Sequence, residues 1–329
     1  MQNKLVRLVD IAQKAGVSIT TVSHVINKTR YVKQETRELV LNVLDEMNYY
    51  IKKPHSRPSV SRFIGVIVAD ITEDYYISTV KAIETYASEQ GFSILLCDSE
   101  HDAEKEKRNI KNILDRGVGG LIISPINSEK YPKEIREAQI PVVFVDRTYS
   151  EHDKVFVGIN NFASGCIGTR YLAAKGCQSI AFIGYAETVY TVHQRAIGYQ
   201  DSLKELLPEC QPSVLTLNYR QEDSNKLIRE FVARVRPDGV LCATSDVCYQ
   251  LIGSLEEMGI SIPDQIKIVT YDDNKWLDYL KFPVSVITQP TSEIGYTAID
   301  QLVRMILRPK ERKKIAMNVF LETGFIDRL

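Results

Sequence analysis

Side chains suited to gripping a polar small molecule recur at four places in this 329-residue sequence. Asp74-Tyr75-Tyr76 offers a carboxylate beside two aromatic faces. Val145-Asp146-Arg147 and Val269-Thr-Tyr271-Asp272-Asp273 each end an apolar run in acid groups. His193-Gln-Arg195-Ala-Ile-Gly198-Tyr199 begins a helical stretch with a guanidinium. Asp and Arg together hold neighbouring hydroxyls through charge-assisted hydrogen bonds, and aromatic rings stack on a sugar ring or a base. Two arginines would equally suit a carboxylate or a phosphate. Catalytic signatures are missing from the sequence: it has no G-x-G-x-x-G after a strand, no P-loop, no G-x-S-x-G and no H-E-x-x-H. The five histidines are scattered without ligand spacing, so neither a metal nor a cofactor is implied, and the chain reads as a binding protein, not an enzyme.

A second chemistry sits at the other end of the charge scale. The formal net charge of −1 hides an asymmetry. Residues 1–62 carry eleven Lys/Arg against five Asp/Glu, a net +6, whereas the remainder carries thirty against thirty-seven, a net −7. That split points to a polyanion-binding module joined to an acidic partner domain. Short hydrogen-bonding side chains concentrate in the basic part. With Val22 at 0° on a helical wheel, Val25 and Ile26 fall on the same side, while Thr20, Asn27 and His24 lie opposite, with Ser23 and Thr21 at the flanks. A strip of that kind suits a helix lying in the major groove of DNA. Ile19 falls at the edge of the apolar side, and the wheel places it in the core.

The elements that must carry these groups follow from periodicity. Leu8, Ile11, Ala12 and Ala15 recur at helical spacing, Gly16-Val17-Ser18 interrupts them, and Ser18 is a good N-cap for a second helix. A third helix over about 33–47 shows Leu39, Val40, Val43 and Leu44 on one side. Residues 49–62, YYIKKPHSRPSVSR, read as a linker. From Phe63 onward, short apolar runs alternate with amphipathic stretches, the grammar of βαβ units and of parallel sheets covered on both faces. A break near 150–162 divides them into two doubly wound lobes, with ligand expected beyond the carboxyl ends of the strands, in the cleft between the lobes. The expected organisation is a helix-turn-helix domain over 1–48, a linker over 49–62 and a core over 63–329. Within the core, lobe 1 takes about 63–160 plus 289–318, and lobe 2 about 161–288 plus 319–329. The longest apolar runs are about six residues, far short of the ~20 a membrane span needs. No signal core is evident and none of the six cysteines forms a C-x-x-C pair, so a reduced cytoplasmic compartment is expected.

The run from Val9 to Lys28, VDIAQKAGVSITTVSHVINK, and the stretch from Tyr31 to Tyr49 resemble the DNA-binding head of the lactose/galactose repressor family of bacterial transcription regulators. The alternating region resembles the periplasmic-binding-protein-like core of the same family. The resemblance implies a repressor whose affinity for operator DNA is set by a small polar effector, a sugar or sugar derivative, and a homodimer spanning a pseudo-palindromic site. It puts Ile19, Thr20 and His24 at base-reading positions, and Ser18, Thr21, Ser23, Asn27, Tyr31 and Thr36 at phosphate or backbone positions. His24 stands where the family usually has Arg, so one weaker contact replaces a bidentate one. The family's hinge helix is not expected, because Pro54 and Pro58 fall inside it and each interior Pro costs ~3 kcal/mol. Lys52, Lys53, Arg57 and Arg62 remain as candidate phosphate contacts in an extended segment. In the core, the resemblance makes Arg195 and Asp272 general effector contacts and adds Tyr75, Tyr76, Arg147, Thr191, Tyr219 and Ser245. The alternative from another class is a solute-binding or sugar-processing α/β protein whose N-terminal helices serve assembly.

Overall fold

A computed structural model describes residues 8–27, 30, 32–47, 61–127, 132–149, 154–186, 188–219, 223–310 and 317–329. The expected linker contacts Lys52, Lys53 and Arg57, the prolines 54 and 58, and Tyr31 lie outside the described residues, as does the side chain of Asn27. The chain divides into two compact units, Met1–Val60 and Ser61–Leu329.

The first unit holds α1 (Leu8–Lys14), α2 (Ile19–Asn27) and α3 (Gln34–Glu46). Gly16, at φ +62°, makes the tight turn after α1 that a side chain would strain. Ser18 then starts α2: its Oγ accepts the Thr21 N–H at 3.0 Å and bonds the Thr21 hydroxyl at 2.8 Å. Ile11, Ala12, Ala15, Val22, Val25, Val40, Val43 and Leu44 form the core of this unit. Two sequence readings are corrected here. Leu39 is 48% exposed and outside that core, and Ile19, which the wheel placed at the core edge, is 49% exposed.

The second unit has two six-stranded sheets. In chain order its strands and helices are β1 (Phe63–Val68), α4 (Asp74–Glu89), β2 (Ser93–Asp98), α5 (Ala103–Asp115), β3 (Gly120–Ile123), α6 (Lys133–Arg136), β4 (Val142–Val145) and β5 (Val155–Ile159). Then follow α7 (Asn161–Ala174), β6 (Ile180–Tyr185), α8 (Tyr190–Leu206), β7 (Ser213–Leu217), α9 (Ser224–Val235), β8 (Gly239–Cys242), α10 (Ser245–Glu257), β9 (Lys267–Tyr271) and β10 (Ser285–Thr288). The chain ends with α11 (Thr291–Leu307), β11 (Asn318–Leu321) and β12 (Gly324–Ile326). The first sheet runs β11-β5-β4-β3-β1-β2 and is parallel throughout. The second runs β12-β10-β9-β8-β6-β7 and is parallel except for β12. Both orders reverse at their first strand, β1 or β6, which opens the crevice where doubly wound sheets bind ligands.

One strand was not expected, and one lobe boundary differs from the expected one. The stretch read as a break contains β5, which pairs with β4. Residues 319–321, assigned to lobe 2, pair with β5 in the first sheet. The chain therefore passes between the sheets three times: after β5, after β10 and after β11. No helix among the described residues is long and apolar enough to cross a membrane.

Candidate functional site

The two sheets present the same device to the cleft. β4 ends at Asp146 and β9 ends at Asp272, and both aspartates take the left-handed backbone conformation at φ +64°. The Asp146 N–H donates to the Val157 carbonyl on β5 at 3.1 Å, and the Asp272 N–H donates to the Ile287 carbonyl on β10 at 3.0 Å. Asp tolerates this region better than most side chains, and a sharp turn there throws its carboxylate off the end of the sheet. The cavity between the lobes has a volume of about 660 Å³ and is lined by both aspartates. Burial pushes both carboxyls up, Asp272 to about 6, while Arg195 pulls both back.

Arg195, in α8, is buried and almost fully engaged by the protein. Its Nε donates to Asn161 Oδ1 at 2.8 Å, Nη1 to the Ala243 carbonyl at 2.6 Å and Nη2 to Gln289 Oε1 at 3.4 Å. The guanidinium carbon lies 3.6 Å from the centroid of the Tyr271 ring. Asn161 and Gln289 sit on two of the three segments that pass between the lobes, so a single side chain ties both together. Gln289 in turn donates to Asp272 Oδ1 at 2.8 Å.

Close helix packing sets the position of Arg195. A Cβ on Gly198 would meet the Phe162 carbonyl oxygen at 2.1 Å, and one on Gly165 would meet the Arg195 carbonyl oxygen at 2.3 Å. The R-x-x-G spacing thus has a mechanical reason: α8 lies against α7 at a distance that only glycine permits. Gly198→Ala is expected to destabilise the second unit by about 3 kcal/mol, seen as a Tm lower by roughly 6 °C or more in calorimetry. A Tm within about 1 °C of wild type would contradict the close packing.

Arg147 is a different kind of arginine. It is 4% exposed, and its Nε and Nη1 have no hydrogen-bond partner among the described residues. Nε lies 3.3 Å from Asp146 Oδ2, within ion-pair distance. Of the remaining expected effector residues, Tyr75, Thr191, Tyr219 and Ser245 line the cavity, together with Arg147, Arg195 and Asp272. Tyr76 is a correction. It is 1% exposed and is not part of the cavity wall; its hydroxyl donates to Asp146 Oδ2 at 2.8 Å and bonds Ser124 Oγ at 2.9 Å, bracing the aspartate from behind.

Two residues not singled out in the sequence, His101 and Tyr185, help complete the wall. His101, Tyr219 and Tyr185 stack as three near-parallel rings, with centroid spacings of 3.6 and 3.8 Å. His101 follows β2 in one lobe, whereas Tyr185 ends β6 and Tyr219 follows β7 in the other, so the stack crosses the cleft. His101 Nε2 bonds Glu73 Oε1 at 2.9 Å, and the Tyr185 hydroxyl donates to Asp246. Their common signal was position, since each stands at or just beyond the carboxyl end of a strand.

Behind this wall, α5 buries Glu106, whose carboxylate accepts the Ile126 N–H at 2.8 Å. Burial pushes this carboxyl from its ordinary 4.5 up to about 7, against opposing pulls from that N–H and from Arg147. A raised folded-state value stabilises the fold below pH 4.5, and that contribution is lost as pH rises through 7. Glu106→Gln is therefore expected to raise stability by about 2 kcal/mol at pH 8.5 and to leave it unchanged near pH 4, measured by chemical denaturation. Equal effects at both pH values would remove Glu106 as a buried acid.

In the first unit, α2 turns Val22 and Val25 inward and leaves Ser18, Ile19 and Thr20 exposed, with Thr21, Ser23 and His24 half-buried. Thr36, on α3, is also half-buried. Ile19 and Thr20 open the helix that follows the Gly16 turn, the arrangement by which a helix-turn-helix offers the start of its second helix to base edges. The hydroxyl of Ser18 is already engaged in capping the helix.

Two family models match the chain. Residues 7–51 match bacterial regulatory proteins of the lacI family, and residues 64–310 match a periplasmic binding protein domain. Among curated relatives, the HTH-type transcriptional repressor PurR of Vibrio atlanticus is 29% identical over 315 residues, covering 93% of each chain. The PurR of Pasteurella multocida is 27% identical over 315 residues, again covering 93% of each. Among solved structures, the lac repressor dimer bound to operator and the anti-inducer ONPF aligns with a TM-score of 0.72 at 23% identity, covering 99% of this chain and 98% of that one. The complex of the transcriptional regulator CelR with cellobiose aligns with a TM-score of 0.72 at 23% identity, covering 98% and 99%.

Proposed function

The chain belongs to the lacI family of bacterial regulatory proteins, with a periplasmic-binding-protein core, and on that premise we infer that it is a repressor binding operator DNA under the control of a small polar effector. The head reads DNA through α2. Ile19, Thr20 and His24 meet base edges, and Ser18, Thr21, Ser23, Asn27, Tyr31 and Thr36 hold the backbone. Lys52, Lys53 and Arg57 add charge beside the head. The effector occupies the cleft, where Asp146 and Arg147 reach it from one lobe and Asp272, Arg195, Thr191, Tyr219 and Ser245 from the other. A sugar is favoured by the aromatic and acidic wall, and the CelR relative is a cellobiose complex.

The observation that carries this reading is Arg195 bonded to both Asn161 and Gln289. A ligand seated on Arg195 and Asp272 acts directly on two of the three segments that join the lobes. It therefore biases their relative orientation through contacts that differ between the two states, as a two-state element requires. Two copies of the chain present two heads to a pseudo-palindromic site. The protein works in the cytoplasm, where its DNA is, and carries out no catalysis.

A gel-shift titration against salt tests DNA binding. With about six phosphate contacts, affinity for operator-like palindromes is expected to fall by roughly a thousandfold between 50 and 200 mM salt. No shift at low salt would favour the solute-binding alternative.

A further inference from the structure

The charge of the cleft narrows the chemistry of its ligand. Among the described residues six carboxylates line it, from Asp70, Glu73, Asp74, Asp146, Asp246 and Asp272, against two guanidinium groups. One guanidinium, that of Arg195, commits three of its five N–H groups to Asn161, Ala243 and Gln289. Arg147 has two nitrogens, Nε and Nη1, without a hydrogen-bond partner among the described residues, and it is already ion-paired with Asp146. The carboxylates are not independent of one another. Asp146 and Glu73, in one lobe, both push up the carboxyl of Asp272 in the other. Such like-charge strain in a partly dry cavity is relieved by a cation placed among the carboxylates and made worse by an anion.

The cleft also holds donors with nothing to donate to. The Tyr75 hydroxyl, in a residue 7% exposed, has no partner among the described residues, and neither does Arg147 Nη1. Buried polar groups left in this state imply a ligand that supplies acceptors, as hydroxyl oxygens do. Tyr185 and Trp276 add aromatic rings to the wall, while both faces of Tyr219 are taken by His101 and Tyr185. Aromatic faces suit the C–H side of a pyranose and attract an ammonium group.

We propose that the cleft selects an amine-bearing polyol, an amino sugar, over the neutral sugar of the same skeleton and rejects the corresponding sugar phosphate. This rests on the reading of the cleft as the effector site. The ammonium sits among Glu73, Asp146 and Asp272, and the hydroxyls accept from Arg147 and Tyr75.

Matched trios test it by calorimetric titration of the full chain: D-glucosamine, D-glucose and D-glucose 6-phosphate, then the mannose and galactose counterparts. Within the trio that binds, the amine is expected to bind about tenfold more tightly than the neutral sugar, with no binding of the phosphate. In Glu73→Gln the preference for the amine is expected to narrow several-fold. A neutral sugar bound as tightly as its amine, or a phosphate bound more tightly than either, would overturn this proposal alone. Absence of binding in every trio would overturn it together with the sugar-effector reading. The salt-dependent gel shift, which involves no ligand, keeps the DNA-binding reading separate.

Discussion

Replacing Arg195 by Ala is expected to remove the ligand response of the core, to lower its stability by about 3–5 kcal/mol, and to leave operator binding in place. The stability loss has three sources. Asn161 Oδ1, the Ala243 carbonyl and Gln289 Oε1 lose their donors, and a buried acceptor left unpaired costs ~1–3 kcal/mol. The face of Tyr271 loses its cation. Asp146 and Asp272 lose the positive charge that holds their carboxyls down. The functional loss follows because the two segments between the lobes are no longer tied by one side chain. Arg195→Lys restores the charge without the planar fork, so part of the stability is expected to return and the ligand response is not. Denaturant titration gives the first quantity, and ligand-induced shift in Tm across a sugar panel gives the second. An Arg195→Ala protein as stable as wild type, with its ligand-induced shift intact, would remove Arg195 from both roles.

Val22→Asp is expected to abolish operator binding, a loss of at least about a hundredfold, while the core keeps its own thermal transition. Val22 is fully buried in a small core, eight buried side chains among the described residues. An isolated carboxylate there costs several kcal/mol, comparable with the whole stability of so small a module. Among the described residues, the hydrophobic clusters of the core are built from its own residues, so the core is expected to keep its packing. Gel shift and calorimetry on the same preparation check the two halves of this expectation. Retained operator affinity would show that α2 is not held by this core.

The head was legible because a three-helix module leaves its periodicity in the sequence. Its misreadings are geometric. Leu39 lies 100° from Val40 on the wheel, at the outer edge of the stripe, and ends up exposed. Ile19 is the first residue of α2, and a wheel assumes cover along the whole helix that the helix end does not have. In the core, the alternation predicted parallel sheets correctly but passed over β5, because no helix separates it from β4 and the grammar expects one. Val319–Leu321 was assigned to the wrong lobe because a strand's apolar pattern does not say which sheet it joins.

The site was legible as strand ends and only partly as contacts. Tyr75 and Tyr76 are adjacent on a helix, so they point 100° apart; one faces the cavity and the other braces Asp146 from behind. The Arg195 motif was visible, but its partners are 34 and 94 residues away in sequence. His101 stacks on Tyr219 across the cleft, and no local spacing predicts a pair formed between two lobes. How far each arginine is engaged by the protein depends on those distant partners, so it emerged only from the three-dimensional arrangement.

Selection of bound sequences from a random double-stranded DNA library, using the full chain, tests the regulator reading most directly. The expected result is enrichment of one pseudo-palindromic sequence, two half-sites read by two copies of α2. Recovery of unenriched DNA, or of none, would contradict it.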